Sequence, residues 1–203
     1  MKKIICFGDT IVEMGAVIEI RGFAAQLMDR YVRRADVLLR GFAGYTTREA
    51  LRILPSAVLN EHPDFVVLFW GSSDSALPGQ IQHVPVAEYR DNLQQIATNI
   101  VMSGAWIVFV TPPPVNERRV RSRTMEHTAL YSQACRELAE DMRAPLVDLF
   151  ARIQQEPNWS KTCLLDGLNL SSVGMNILYQ ELARALDVIK PLDRFERLNV
   201  DGI

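Results

Sequence analysis

The chain is poor in the residues that most often announce a chemistry: 203 residues contain only three cysteines and three histidines. Cys6, Cys135 and Cys163 lie far apart, are odd in number and form no CxxC pair, which argues against a disulfide framework and against a thiolate zinc site. A reducing compartment is therefore expected, with no metal and no cofactor. His62, His83 and His127 are the only side chains whose ordinary pKa places a proton acceptor near neutrality, so any mechanism that needs a histidine must use one of them. Long apolar runs are also missing. The longest span four to seven residues, as in Phe65 to Trp70, against the roughly 20 that a membrane-spanning helix needs. Neither sign of charge is in excess, since 22 Lys+Arg stand against 24 Asp+Glu, and a net charge of -2 creates no global field toward nucleic acid or anionic membrane. The apolar run at the start ends at Gly8-Asp9, too brief for a signal-peptide core. Secretion is not expected; a cytoplasmic or organellar location is.

What is present reads as one globular α/β domain over 1–190, followed by a charged tail from Pro191 to Ile203 that is expected to extend over the surface or dock on a partner. Short β-branched runs recur at Lys3 to Phe7, Asp36 to Leu39, Phe65 to Trp70, Trp106 to Thr111 and Pro145 to Asp148. They are near-continuously apolar, as strands buried on both faces are. Between them lie segments of helical period. Their apolar faces are Phe23, Leu27 and Tyr31; Ala50, Leu51, Leu54 and Val58; and Leu93, Ile96, Ala97, Ile100 and Val101. Two more follow, Leu130, Ala134, Leu138 and Ala139, then Leu178, Leu182, Ala185 and Leu186. Strand alternating with helix implies right-handed crossovers, hence a three-layer α/β/α sandwich around a doubly wound five-stranded parallel sheet of flavodoxin-like type. In such sheets ligands bind beyond the C-terminal strand ends. The loops expected there are rich in small residues: Gly8-Asp9-Thr10, Gly41-Phe42-Ala43-Gly44-Tyr45, Gly71-Ser72-Ser73-Asp74 and Thr111-Pro112-Pro113-Pro114.

Six pieces in order carry a resemblance. They are Phe7-Gly8-Asp9-Thr10, Arg40 to Arg48, Phe69 to Ala76, Gln82 to Tyr89, Thr111 to Pro114 and Asp166-Gly167-Leu168-Asn169-Leu170-Ser171. From about Ile4 to Leu186 the chain resembles the SGNH (GDSL-type) hydrolases, and within them the isoamyl-acetate-hydrolysing esterases. The resemblance implies a serine esterase whose nucleophile follows the first strand and whose general base is a histidine three residues after an orienting aspartate. It also implies an oxyanion hole made from the nucleophile amide, a loop glycine amide and an asparagine side chain. Carried onto this chain, Asp9, Gly44 and Asp166 match. Thr10 stands at the nucleophile, Asn169 at the histidine and Ser73 at the asparagine.

A threonine hydroxyl can attack a carbonyl, but its methyl crowds a tight strand-to-helix turn. An asparagine amide cannot take a proton at neutral pH and return it. Losing a triad member costs about 10⁴ to 10⁶ in turnover. The expectation is a catalytically inactive pseudoenzyme that acts as a scaffold or interaction subunit and holds a small acyl or ester-like ligand. The alternative is an active esterase on short-chain carboxylic esters with Thr10 as nucleophile. None of the three histidines substitutes: His83 is expected to fix a helix start near Pro85, His127 to sit on a solvated helix start, and His62 to lie at the opposite end of the sheet. Asp166 is expected to tie down its loop, with Asn169 bonding backbone. Trp70 is expected in the core, and Tyr45 and Trp159 beside an apolar pocket. Arg118, Arg119, Arg121 and Arg123 crowd the loop after the fourth strand and are read as a surface for an anionic protein partner, with nucleic acid as the alternative.

Overall fold

All five apolar runs form strands: β1 (Lys2–Gly8), β2 (Ala35–Gly41), β3 (Phe65–Phe69), β4 (Trp106–Val110) and β5 (Leu146–Val147). A computed structural model describes residues 2–189; the tail expected from Pro191 lies outside the described residues. The strands pair in parallel in the order β2-β1-β3-β4-β5, with Ile4 opposite both Val37 and Phe65. The order reverses direction between β1 and β3, and a crevice opens at the C-terminal ends of those two strands. The loops after Gly8 and Phe69 therefore meet at one place.

The helices are α1 (Thr10–Glu13), α2 (Phe23–Arg30), α3 (Thr47–Ala57), α4 (Val86–Met102), α5 (Met125–Asp141), α6 (Leu149–Gln154), α7 (Trp159–Thr162) and α8 (Ser172–Val188). Alternate β1 side chains serve the two faces. Ile4 and Cys6 pack with α1, α2, α6 and α8, while Ile5 and Phe7 pack with α3, α4 and α5. Burying each such aliphatic side chain contributes about 1.5 to 3 kcal/mol. The 4-3-4 spacing of Tyr89, Leu93, Ile96 and Ile100 gives α4 one fully apolar stripe, and Gly104 at φ +91° ends the segment. Two residues assigned to helix faces from periodicity alone, Val101 and Leu130, are instead 47% and 50% exposed. Each lies at the edge of its stripe, where a period-based reading cannot tell the last core position from the first solvated one.

Helix starts are set by side chains. Thr46 and Glu49 form a reciprocal capping box at α3. Thr124 Oγ1 accepts from His127 N at the start of α5 (3.1 Å), and Ser171 Oγ accepts from Gly174 N at α8 (3.4 Å). Arg48 and Glu88 join α3 to α4 by paired contacts of 2.5 and 2.6 Å. These caps fix where the chain enters α3 and α8.

Candidate active site

The floor of the crevice is a buried polar cluster. Asp9 follows β1 and is wholly buried; its Oδ1 accepts from Ile11 N and its Oδ2 from Ser73 N, both at 3.1 Å. One carboxylate thus caps α1 and fastens the loop after β3 to the end of β1. Burial pushes its pKa up to about 6, against the lowering pull of those amides and of Arg123. Asp74 is also fully buried. Its Oδ1 accepts from Thr47 N (2.9 Å) and Thr47 Oγ1 (2.5 Å), while Oδ2 has no partner among the described residues. Burial, with Asp9 nearby, pushes it up to about 7. Asn92 Nδ2 donates to Thr47 Oγ1 (3.2 Å), so α4 supports the same cluster.

Above this floor Thr10 opens α1, half-buried, and its Oγ1 accepts from Gly44 N at 3.1 Å. Gly44 has φ +77°, a conformation that side chains disfavour, which explains glycine there. Gly41 answers a different need: a Cβ there would lie 2.0 Å from Glu13 N, so only glycine lets β2 end against α1. A hydroxyl and a loop amide are therefore brought together as the sequence pieces implied. Ser73 is buried with its N–H committed to Asp9. Its hydroxyl is shorter than the asparagine amide that the resemblance would place there.

The resemblance places the loop Leu164 to Leu170 as the opposite wall. Asp166 Oδ1 accepts from Leu168 N (2.9 Å) and Asn169 N (2.8 Å), which ties the loop down. Asn169 corrects the expectation of a backbone bond: its Nδ2 donates to Asp166 Oδ2 at 2.7 Å. Burial raises the Asp166 pKa, but the bonds from Asn169 and Leu168 outweigh it and hold the carboxyl below its ordinary value. Compared with an imidazole in this place, the amide nitrogen supplies the N–H that would face the aspartate. The side chain then ends before the ring nitrogen that would take a proton from a hydroxyl.

The three histidines stay out of this arrangement. His62 precedes β3, at φ +51°, on the end of the sheet away from the crevice. His83 Nδ1 is 2.7 Å from Ala76 O. The His127 ring lies 5.7 Å from the His83 ring, tilted against it, and meets the Tyr131 ring edge-on at 5.2 Å, rather than facing solvent alone. Burial, then the neighbouring His83, lowers its pKa. Trp70 is fully buried; Tyr45 is 40% exposed and stacks on Phe42, and Trp159 packs at the edge of the core. Among the described residues no three His, Cys, Asp or Glu converge as a metal site requires.

Arg123 departs from the arginine surface expected of it. Only 5% exposed, it donates from Nε to Ser72 O (2.7 Å) and from Nη2 to Ser73 O (3.3 Å) and Gln82 Oε1 (3.0 Å), so it belongs to the floor. Arg118, Arg119 and Arg121 are exposed, with Arg119 Nη1 donating to Leu165 O (3.1 Å). Asp74, Thr47 and Gln82 lie within the matching sequence pieces, where the resemblance implies no site role for them. The available signal was a charged residue flanked by small ones after a strand, the same pattern that marks Asp9.

The fold and site together define a GDSL-type hydrolase architecture, and the chain belongs to the GDSL-like lipase/acylhydrolase family, whose sequence model matches residues 6–177. It is 38% identical to a GDSL esterase/lipase of Arabidopsis thaliana over 91% of this chain and 86% of that one. It is 32% identical to the mouse (Mus musculus) isoamyl acetate-hydrolyzing esterase 1 homolog over 91% of this chain and 81% of that protein. The fold is similar to that of a lipase/acylhydrolase from Enterococcus faecalis, with a TM-score of 0.80, 24% identity and coverage of 97% and 98% of the two chains.

Proposed function

We propose that this chain is a pseudoenzyme of the family: it holds a small acyl or ester-like ligand in the crevice without cleaving it and acts as an interaction subunit of a larger assembly. The reading is carried by one contact, Asn169 Nδ2 to Asp166 Oδ2, because it fills the place of the general base with a group that cannot accept a proton. The name of the mouse relative supports small carboxylic esters as the ligand class. The exposed Arg118, Arg119 and Arg121 support an acidic protein partner. Free, buried Cys6, Cys135 and Cys163 support a reducing, intracellular setting.

A second reading, hydrolysis by Thr10, is favoured by the Gly44 N–H on its hydroxyl and by the raised pKa of Asp9, the nearest carboxylate in sequence. Both Asp9 oxygens already accept amides, which leaves it poorly placed as a base. Turnover of p-nitrophenyl acetate and butyrate by the wild-type chain and by Thr10→Ala decides between them. Equal, background rates are expected. A wild-type rate that disappears in Thr10→Ala sinks the pseudoenzyme reading.

A further inference from the structure

We infer that Arg123 and Gln82 are positioning residues that hold the Gly44 loop and the Ser72–Ser73 turn at a fixed separation, so that the crevice stays formed without a ligand. This rests on the reading of the crevice as a binding site, and not on whether that site hydrolyses anything.

A buried guanidinium is costly unless its donors are met. Here Nε and Nη2 reach Ser72 O and Ser73 O, Nη1 reaches Ser122 Oγ at 3.0 Å, and Nη2 also reaches Gln82 Oε1. Gln82 continues the connection, because its Nε2 donates to Gly44 O at 3.0 Å. The direction of this relay is fixed by chemistry. A guanidinium has only donors, so the glutamine must turn its oxygen toward Arg123 and its NH₂ toward the Gly44 carbonyl. Gly44 then presents its own N–H to Thr10 Oγ1. One buried cation thus links the loops after β2 and β3, which share no strand pairing of their own. Burial lowers the Arg123 pKa, and the buried carboxyls Asp9 and Asp74 pull it back up.

Amide hydrogen exchange on the full chain tests the relay, read residue by residue by NMR, with Leu68 and Ile96 as core reporters. Gln82→Leu cuts the chain at both ends, and exchange at Gly44 and Tyr45 is expected to quicken by about tenfold or more while the core reporters hold their rates. Gln82→Glu keeps an acceptor for Arg123 but loses the donor to Gly44, so only the Gly44 loop should loosen. Arg123→Lys replaces the planar fork by a single ammonium, and Ser73 should loosen together with Gly44. An unchanged Gly44 rate in a folded Gln82→Leu protein overturns the inference. So does an equal acceleration of Gly44 and Ile96, since that is global destabilisation. Should Arg123→Lys fail to fold, the two Gln82 variants still decide. Ester hydrolysis by the wild-type chain would remove the pseudoenzyme reading and leave the exchange result standing.

Discussion

The floor and the far wall of the crevice are built on opposite terms. On the floor, Asp9, Asp74, Thr47, Ser73 and Arg123 are each at most 5% exposed, and their bonds hold α1, α3 and the loop after β3 in place. Of the wall residues Asp166 is exposed and Asn169 half-buried, and their side-chain bonds close the loop on itself. Replacing a floor residue strands a buried charge or an amide at a cost of several kcal/mol. Replacing a wall residue costs the fold little. The base position on the wall thus carries Asn169, while on the floor Asp9 matches the resemblance and Ser73 departs from it.

The contrast predicts that activity is recoverable at Thr10 and the wall together, with the floor untouched. Thr10→Ser with Asn169→His restores a nucleophile and a base beside Asp166, and kcat/KM for p-nitrophenyl butyrate is expected to rise about 10³-fold over the wild-type chain. Full family-level activity is not expected, because Ser73 leaves the oxyanion hole one donor short. No rise, followed by a rise on adding Ser73→Asn, would move the critical defect from the wall to the floor and break the comparison.

The floor should show itself in the pH dependence of stability. Asp74 and Asp9 have folded pKa values raised to about 7 and about 6 from an ordinary 3.8. In that window the folded chain binds protons more tightly than the unfolded one. Stability from these groups is thus full below the unfolded pKa and is lost as pH rises through the folded values. Urea unfolding at about pH 4 and about pH 8 reads this loss as the difference between the wild-type chain and a variant, because carboxyls held low, such as Glu61, Glu88 and Asp166, change stability in the opposite sense. Asp74→Asn keeps an oxygen for Thr47 and carries no charge, and it should shrink that loss by on the order of 2 kcal/mol. Identical pH profiles for the two proteins would mean that Asp74 ionises freely and that the floor is wetter than its burial indicates.

The strands and the crevice loops are legible because their signals are local: five apolar runs place β1 to β5 within a residue or two, and turn-forming segments rich in Gly, Ser or Pro follow the first four. Thr10, Gly44, Asp166 and Asn169 were legible through motif order, and the structure brings Thr10 to Gly44 and Asn169 to Asp166. Arg123 was not. It stands in a polar run with three other arginines, one residue before the Thr124 cap, and nothing local separates a buried guanidinium from a solvated one. Its partners, Ser72, Ser73 and Gln82, lie 41 to 51 residues away, and only tertiary packing chooses which arginine turns inward. Val101 and Leu130 failed for the same reason in reverse, since periodicity assigns a face but not its margin.

That separation within one arginine run also gives the smallest expected effect on the fold. Arg118 and Arg121 are exposed and form no ion pair among the described residues, so Arg118→Glu with Arg121→Glu should leave unfolding free energy within about 0.5 kcal/mol of wild type. Arg123 is left intact in that variant, which keeps the crevice floor out of the comparison. If the outer arginines meet an acidic partner, chromatography of native extract should show the wild-type chain in a larger assembly and the charge-reversed chain eluting alone. Solitary elution of both would remove the interaction-subunit half of the proposal. A loss of stability beyond about 1 kcal/mol would instead place Arg118 or Arg121 among the structural residues, and the division between floor and outer surface would have to be redrawn.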